Sequence, residues 1–135
     1  SISAQSFTAT GLTLNITPAA SNSKIYLIAS VSTGGDSDKN QLLRFFRDTT
    51  VIGAAADSGN QNGATSHTGR THTSTSVTTT ITFLDSPSST SQITYSVKLF
   101  GEAGITHYVN RTEEDENNDH KGRTTSTITA FEVLA

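Results

Sequence analysis

Apolar and polar residues alternate one by one along several short segments of this chain. Leucine or isoleucine occupies positions 12, 14 and 16 of LTLNITP (residues 12–18), and ITYSVKLF (residues 93–100) repeats the apolar–polar alternation. Because successive side chains of a β-strand point to opposite faces, a period of two is typical of strands with one buried face. No segment shows the i, i+3, i+4, i+7 spacing of an amphipathic helix. The alternation therefore predicts an all-β fold.

The composition favours the same fold class. Of the 135 residues, 18 are Ser and 24 are Thr. Thr is β-branched and suits a pleated surface, whereas Ser, Gly and Asn suit the turns between strands. Eight or nine short strands, with no repeat of fixed period between them, predict one antiparallel two-sheet sandwich of the jelly-roll type over residues 1–135.

The pattern also predicts individual elements. We expect a first strand at residues 4–10, closed by Gly11, and a hairpin that joins strands 41–47 and 50–55. In the Thr-rich stretch 70–87, the odd-numbered positions form a partly apolar face. The even-numbered positions from 72 to 82 are interpreted as a wholly polar face, and the strand is expected to end in a turn at LDSP (residues 84–87).

Two segments are apolar on both faces of their predicted strands. They are KIYLIASVS (residues 24–32) and the C-terminal stretch 126–134. A strand of this kind is covered on both sides, either by another layer of the same chain or by another subunit. On this basis the sequence predicts an oligomer interface that contains four residues: Tyr26, Ile28, Phe131 and Leu134.

Polar loops are the candidate recognition surfaces. The predicted loops 57–69, 103–111 and 112–122 hold few large apolar side chains and are expected at the surface. Tyr108 is the one aromatic residue beside a polar loop, and it is flanked by His107 and Asn110. These three residues are the candidate ligand site, since aromatic rings stack on sugar faces, although the chain has no Trp.

The acidic run in loop 112–122 offers oxygen ligands of the kind that Ca²⁺ prefers. Glu113, Asp115 and Asp119 are the candidate metal ligands, while a solvated loop is the simpler interpretation, because the run matches no EF-hand spacing. No other cofactor is indicated.

Several function classes find no support in the residues. No GxSxG elbow or histidine pair at strand spacing is present, so the sequence predicts a non-enzymatic protein. A net charge of −3 with nine scattered basic residues argues against nucleic acid binding. No apolar run is long enough to insert into a membrane as a helix, and the lack of Cys excludes disulfides.

Four motifs occur in an order that resembles a known family. They are GLTLNITPAASNSKIYLIASVS near the start, FRDTTVIG and LDSP in the middle, and STITAFEV at the end. The order is similar to that of small β domains in virion proteins of tailed bacteriophages, particularly marine phages, where they form part of tail fibres, knobs or other appendages. The resemblance runs from about Gly11 to Val133.

The resemblance implies a structural protein of the virion that takes part in host attachment. It implies a homotrimer whose partners are other virion proteins and a glycan or protein of the host surface, and it brings no catalytic residue. Two other functions stay open on the sequence: a capsid decoration protein, and a secreted carbohydrate-binding module.

Overall fold

The structure, a computed structural model, describes residues 2, 6–35, 39–69, 72–102 and 104–134. This part of the chain forms nine strands and no helix. The strands are β1 (Thr8–Ile16), β2 (Lys24–Gly35), β3 (Asn40–Arg47), β4 (Thr50–Ile52), β5 (Ser66–Gly69), β6 (Val77–Asp85), β7 (Ile93–Gly101), β8 (His107–Val109) and β9 (Thr127–Val133). The prediction of an all-β protein with eight or nine strands is confirmed.

The strands form two antiparallel sheets. In sheet I the order is β1–β7–β3, and β4 and β5 both pair with the outer edge of β3. In sheet II, β6 pairs with one edge of β2, while β9 and β8 share its other edge. The chain crosses between the sheets from β1 to β2 to β3, and again from β5 to β6 to β7 to β8. These crossings give the two-sheet sandwich its jelly-roll-like path.

The core lies between the sheets and follows the alternation seen in the sequence. Every second residue of β2, β3 and β7 points inward, as expected for strands with one buried face. The fully buried side chains from these strands include Ile25, Leu27, Val31, Phe45, Tyr95, Val97 and Leu99. Within the described residues no helix is long and apolar enough to cross a bilayer.

The predicted end of the first strand at Gly11 is wrong. β1 runs without interruption from Thr8 to Ile16, and its pairing with β7 shifts register between Ala9 and Thr13. Gly11 has φ of 89°, a conformation that side chains disfavour and that glycine allows in a β-bulge. The glycine bends the strand and does not end it. Residues 4 and 5 of the predicted strand lie outside the described residues.

The hairpin predicted around residue 48 is present, with a shorter second strand than expected. Asp48 turns the chain with φ of 52°, and β4 ends at Ile52. Gly53 follows with φ of 60°. A Cβ atom on Gly53 would lie 2.6 Å from Cγ of Phe83, so the backbone passes directly over that ring.

The short motifs meet in a buried network. Asp85 of LDSP accepts hydrogen bonds from Nη1 of Arg47 at 2.9 and 3.0 Å and from the hydroxyl of Tyr95 at 2.6 Å. Burial first, and then the bond to Asp85, raise the pKa of Tyr95 above its ordinary range, so its hydroxyl stays a donor. The motif residues therefore join β3, β6 and β7, which is a structural role.

Candidate functional site

The outer face of sheet II is nearly free of charge. Its members are the side chains of β2, β6 and β9 that point away from the core, and we call this surface the threonine face. The outward positions are Lys24, Tyr26, Ile28, Ser30 and Ser32 on β2, Thr78, Thr80, Thr82 and Leu84 on β6, and Thr127, Thr129, Phe131 and Val133 on β9. Lys24, at the end of β2, is the one charged residue among these positions.

An apolar row crosses the threonine face at one end. Tyr26 pairs with Leu84 on β6 and with Phe131 on β9, so the three side chains lie side by side across the sheet. Their exposed fractions are 36% for Tyr26, 46% for Leu84 and 54% for Phe131. Val133 and Leu134 extend the exposed apolar surface beyond the row. Contiguous exposed apolar surface of this kind marks contact sites in soluble proteins.

The structure brings the predicted interface residues together. Tyr26, Ile28 and Phe131 lie on the threonine face in adjacent positions, and Leu134 follows the end of β9 as an exposed side chain. Whether they contact another subunit stays a prediction. Leu84 was missed, because the polar face was followed only to Thr82 and Leu84 was assigned to the turn that follows. The strand continues through Leu84, which points outward, since Phe83 is the neighbour that packs against the core.

Hydroxyl groups cover the middle of the threonine face. Ile28 is flanked by Thr82 and Thr129, and Ser30 is flanked by Thr80 and Thr127. Each hydroxyl can both donate and accept a hydrogen bond. The face therefore combines an apolar row with groups that can pair with copies of themselves.

The segment after β8 covers the far end of the threonine face. The backbone N–H of Asn110 donates to the carbonyl of Ser32 at 2.9 Å. The hydroxyl of Thr124 donates to that of Ser32 at 2.7 Å, and the N–H of Ser32 donates to the hydroxyl of Ser126 at 2.9 Å. Ser32 is buried as a result, so the open part of the face runs from Lys24 to Ser30.

The predicted ligand site at residues 107–110 is not presented as an open surface. His107 is fully buried, against Gly101. The guanidinium of Arg111 lies 3.7 Å from the centre of the Tyr108 ring. Asn110 has φ of 66° and binds the covering segment through its backbone and its side chain. Each of the three residues has a structural contact, so together they do not form an open ligand site.

The predicted Ca²⁺ ligands do not converge. Asp115 forms ion pairs with Arg123 at 2.8 Å and with Arg111 at 3.9 Å. Asp119 lies beside His120 at an exposed turn, and the backbone N–H of Glu113 donates to the carbonyl of Thr73. Among the residues that the structure describes, no group of three His, Cys, Asp or Glu side chains could hold a metal ion.

The polar loop after β4 is held to the outer face of sheet I. Ser58 and Gln61 exchange backbone hydrogen bonds of 2.9 and 3.0 Å across a tight turn. Asp57 accepts from the N–H of Gly63 at 2.7 Å and forms an ion pair with the buried Arg44. The bond from Gly63 lowers the pKa of Asp57, with desolvation opposing this and Arg44 adding to it. We call residues 54–64 the Arg44 loop.

Comparison with known proteins gives no relative: no protein-family model matches the chain, and no curated protein matches it significantly.

Proposed function

We propose that this chain is a structural domain of a bacteriophage virion appendage, a tail fibre or knob, and that it assembles as a homotrimer through the threonine face. The observation that carries the proposal is the row of Leu84, Tyr26 and Phe131 across three strands. The motif order supports the class of protein, and the row supports the threonine face as the surface through which copies join.

A copy of the same chain is the occupant that the chemistry of the face favours. The chain has a net charge of −3, which weakly opposes the approach of a second copy. The threonine face carries no acidic residue on its outward positions and only Lys24 as a cation. Its apolar row can bury itself against the same row of a neighbour, and its hydroxyls can pair with the same hydroxyls.

Assembly through sheet II leaves sheet I free to contact a host. The two outer faces lie on opposite sides of the sandwich, with the core between them. The Arg44 loop and the strands β3, β5 and β7 would then point away from the assembly. A rigid sandwich that presents loops in this way suits attachment.

An antiserum tests the place of the chain on the particle. The antiserum is raised against the purified chain and added to a phage that encodes the sequence. Electron microscopy then shows where it binds, and an adsorption assay measures whether the treated phage still binds host cells. We expect label on an appendage and loss of adsorption. Label on the capsid shell, with adsorption intact, would instead favour a decoration protein, and unlabelled particles would contradict the virion proposal altogether.

A further inference from the structure

A pocket of about 420 Å³ lies on the outer face of sheet I, under the Arg44 loop. Its lining consists of Asn40, Leu42, Gln61, Asn62, His67, Phe100 and Glu102. The volume falls within the roughly 300–1,000 Å³ that is usual for small-molecule sites. None of the predicted ligand residues contributes to it, and it lies on the face opposite the threonine face.

Strand register builds the floor of the pocket. Leu42 pairs with His67 on β5 and with Phe100 on β7, so these three side chains form a row across sheet I. The ring of Phe7 packs on Phe100 with 5.5 Å between ring centres. This packing fixes the orientation of the Phe100 ring, which is half-buried.

The Arg44 loop builds one wall. Its tight turn ends at Gln61, and Gln61 and Asn62 both line the pocket. The bonds of Asp57 to Arg44 and to the N–H of Gly63 hold the base of this loop against the sheet. The wall is therefore formed before any ligand arrives.

The groups that line the pocket match the chemistry of a saccharide. Asn40, Gln61 and Asn62 each carry an amide that can donate and accept, and Glu102 carries a carboxylate that accepts. Sugar hydroxyls need both kinds of partner, while the C–H face of a pyranose packs on an aromatic ring such as Phe100. An aromatic floor with polar groups around it provides for both.

The charge of the residues that line the pocket favours neutral saccharides over anionic ligands. No Lys or Arg is among the residues that line the pocket, and the nearby cation Arg44 lies 4.0 Å over the ring of Phe7. Glu102 would repel a phosphate, a sulfate or an acidic sugar. One carboxylate and one histidine, Glu102 and His67, are also too few to hold a metal ion.

We propose that this pocket binds a neutral pyranose unit of a host surface glycan. The inference deepens the attachment function proposed above and rests on it, because it names the class of receptor. The ring would pack on Phe100, while Gln61, Asn62 and Glu102 would bind its hydroxyls.

The test is an array of neutral, amino and acidic glycans, followed by NMR titration of the labelled chain with the neutral glycan that binds best. We expect shifts confined to the amides of the pocket, above all those of Gln61, Asn62 and Glu102. Phe100→Ala should weaken binding at least tenfold, and Val51→Ala, a truncation on the same sheet at an exposed residue that does not line the pocket, should leave the affinity unchanged.

A second variant covers the case in which Phe100→Ala does not fold. Glu102→Gln keeps the shape of an exposed side chain and removes its charge. It should weaken binding of the neutral glycan several-fold and raise the binding of acidic glycans. The pocket proposal would be overturned if the folded chain bound no saccharide, or if the NMR shifts centred on residues outside the pocket.

The solution mass of the same samples distinguishes the assembly proposal from the pocket proposal. A trimer that binds no saccharide overturns the pocket and leaves the assembly proposal standing. A monomer that binds a saccharide through the pocket would overturn the assembly proposal and leave the pocket proposal standing. That result would favour a carbohydrate-binding module.

Discussion

Asp85 stabilises the sandwich because it joins three strands at one buried point. Its carboxylate accepts hydrogen bonds from Arg47 and Tyr95, and a buried carboxylate destabilises a fold unless such partners are present. Arg47 keeps 27% of its side chain exposed, so water still reaches one side of the pair. The network explains why short motifs far apart in the sequence occur in the same small domain.

Substitutions of Tyr95 and of Asp85 should lower the free energy of unfolding by different amounts. Tyr95→Phe deletes one hydroxyl donor and should lower the free energy of unfolding by about 2 kcal/mol. Asp85→Ala leaves both Arg47 and Tyr95 without their acceptor, and should lower it by about 3 kcal/mol or more. Urea unfolding followed by circular dichroism measures both. A smaller loss for Asp85→Ala than for Tyr95→Phe would contradict a network centred on the carboxylate.

Two glycines have nearly equal φ but different surroundings. Alanine substitutions at these two positions therefore separate the cost of backbone strain from the cost of steric overlap. Gly53 has φ of 60° and Gly59 has φ of 57°. A Cβ atom on Gly53 would overlap the ring of Phe83, whereas one on Gly59 meets open space. Gly59→Ala should therefore cost about 1 kcal/mol of unfolding free energy through strain alone, and Gly53→Ala about 1–3 kcal/mol more through overpacking.

The same urea titration measures both glycine variants. Equal losses at the two positions would show that the ring of Phe83 moves away without cost. The close approach at Gly53 would then have no role in the packing.

At the scale of elements, the Arg44 loop depends on one titratable group. Asp57 has a pKa below its ordinary value of 3.8 in the folded chain. Its contribution to stability is therefore fully present above pH 3.8 and is lost as the pH falls through the lower, folded value. We expect the loop to loosen only under acidic conditions.

The amide resonance of Gly63 reports the protonation of Asp57 directly, because the N–H of Gly63 donates to the Asp57 carboxylate. In an NMR titration we expect the Gly63 shift to change with a midpoint below pH 3.8. The step should be absent in Asp57→Asn, which keeps an acceptor oxygen and loses the charge. A midpoint at or above 3.8 in the unmodified chain would contradict the proposed role of the Gly63 bond.

The sequence predicted those elements whose signal is local. Alternation identified β7, and the two-sided apolar pattern placed Tyr26 and Phe131 on a second surface. Leu84 was missed because one apolar residue at the end of a Thr-rich stretch changes no period. The bulge at Gly11 was missed for a related reason: a glycine between two runs is equally typical of a turn.

The pocket under the Arg44 loop was beyond prediction from the sequence for a different reason. Its lining comes from β3, the Arg44 loop, β5, β7 and the residue that follows β7. Only the register of β3 with β5 and β7 places Leu42 between His67 and Phe100. Register is set by how the strands pair and cannot be read from any one segment.

At the scale of the whole molecule, we propose separate roles for the two sheets, and matched variants test this proposal. Leu84 is 46% exposed on the outer face of sheet II, and Val51 is 39% exposed on the outer face of sheet I. Leu84→Glu places a carboxylate in the apolar row, where assembly would bury it without a partner. We expect it to dissociate the trimer, and Val51→Glu to leave it intact. Dissociation by Val51→Glu alone would place the interface on sheet I.

The solution mass of the unmodified chain, measured by light scattering during size exclusion, tests the central claim most directly. Assembly through the threonine face predicts a species of three times the 14.2 kDa of one chain, about 43 kDa. A single 14.2 kDa species at every concentration measured would contradict it.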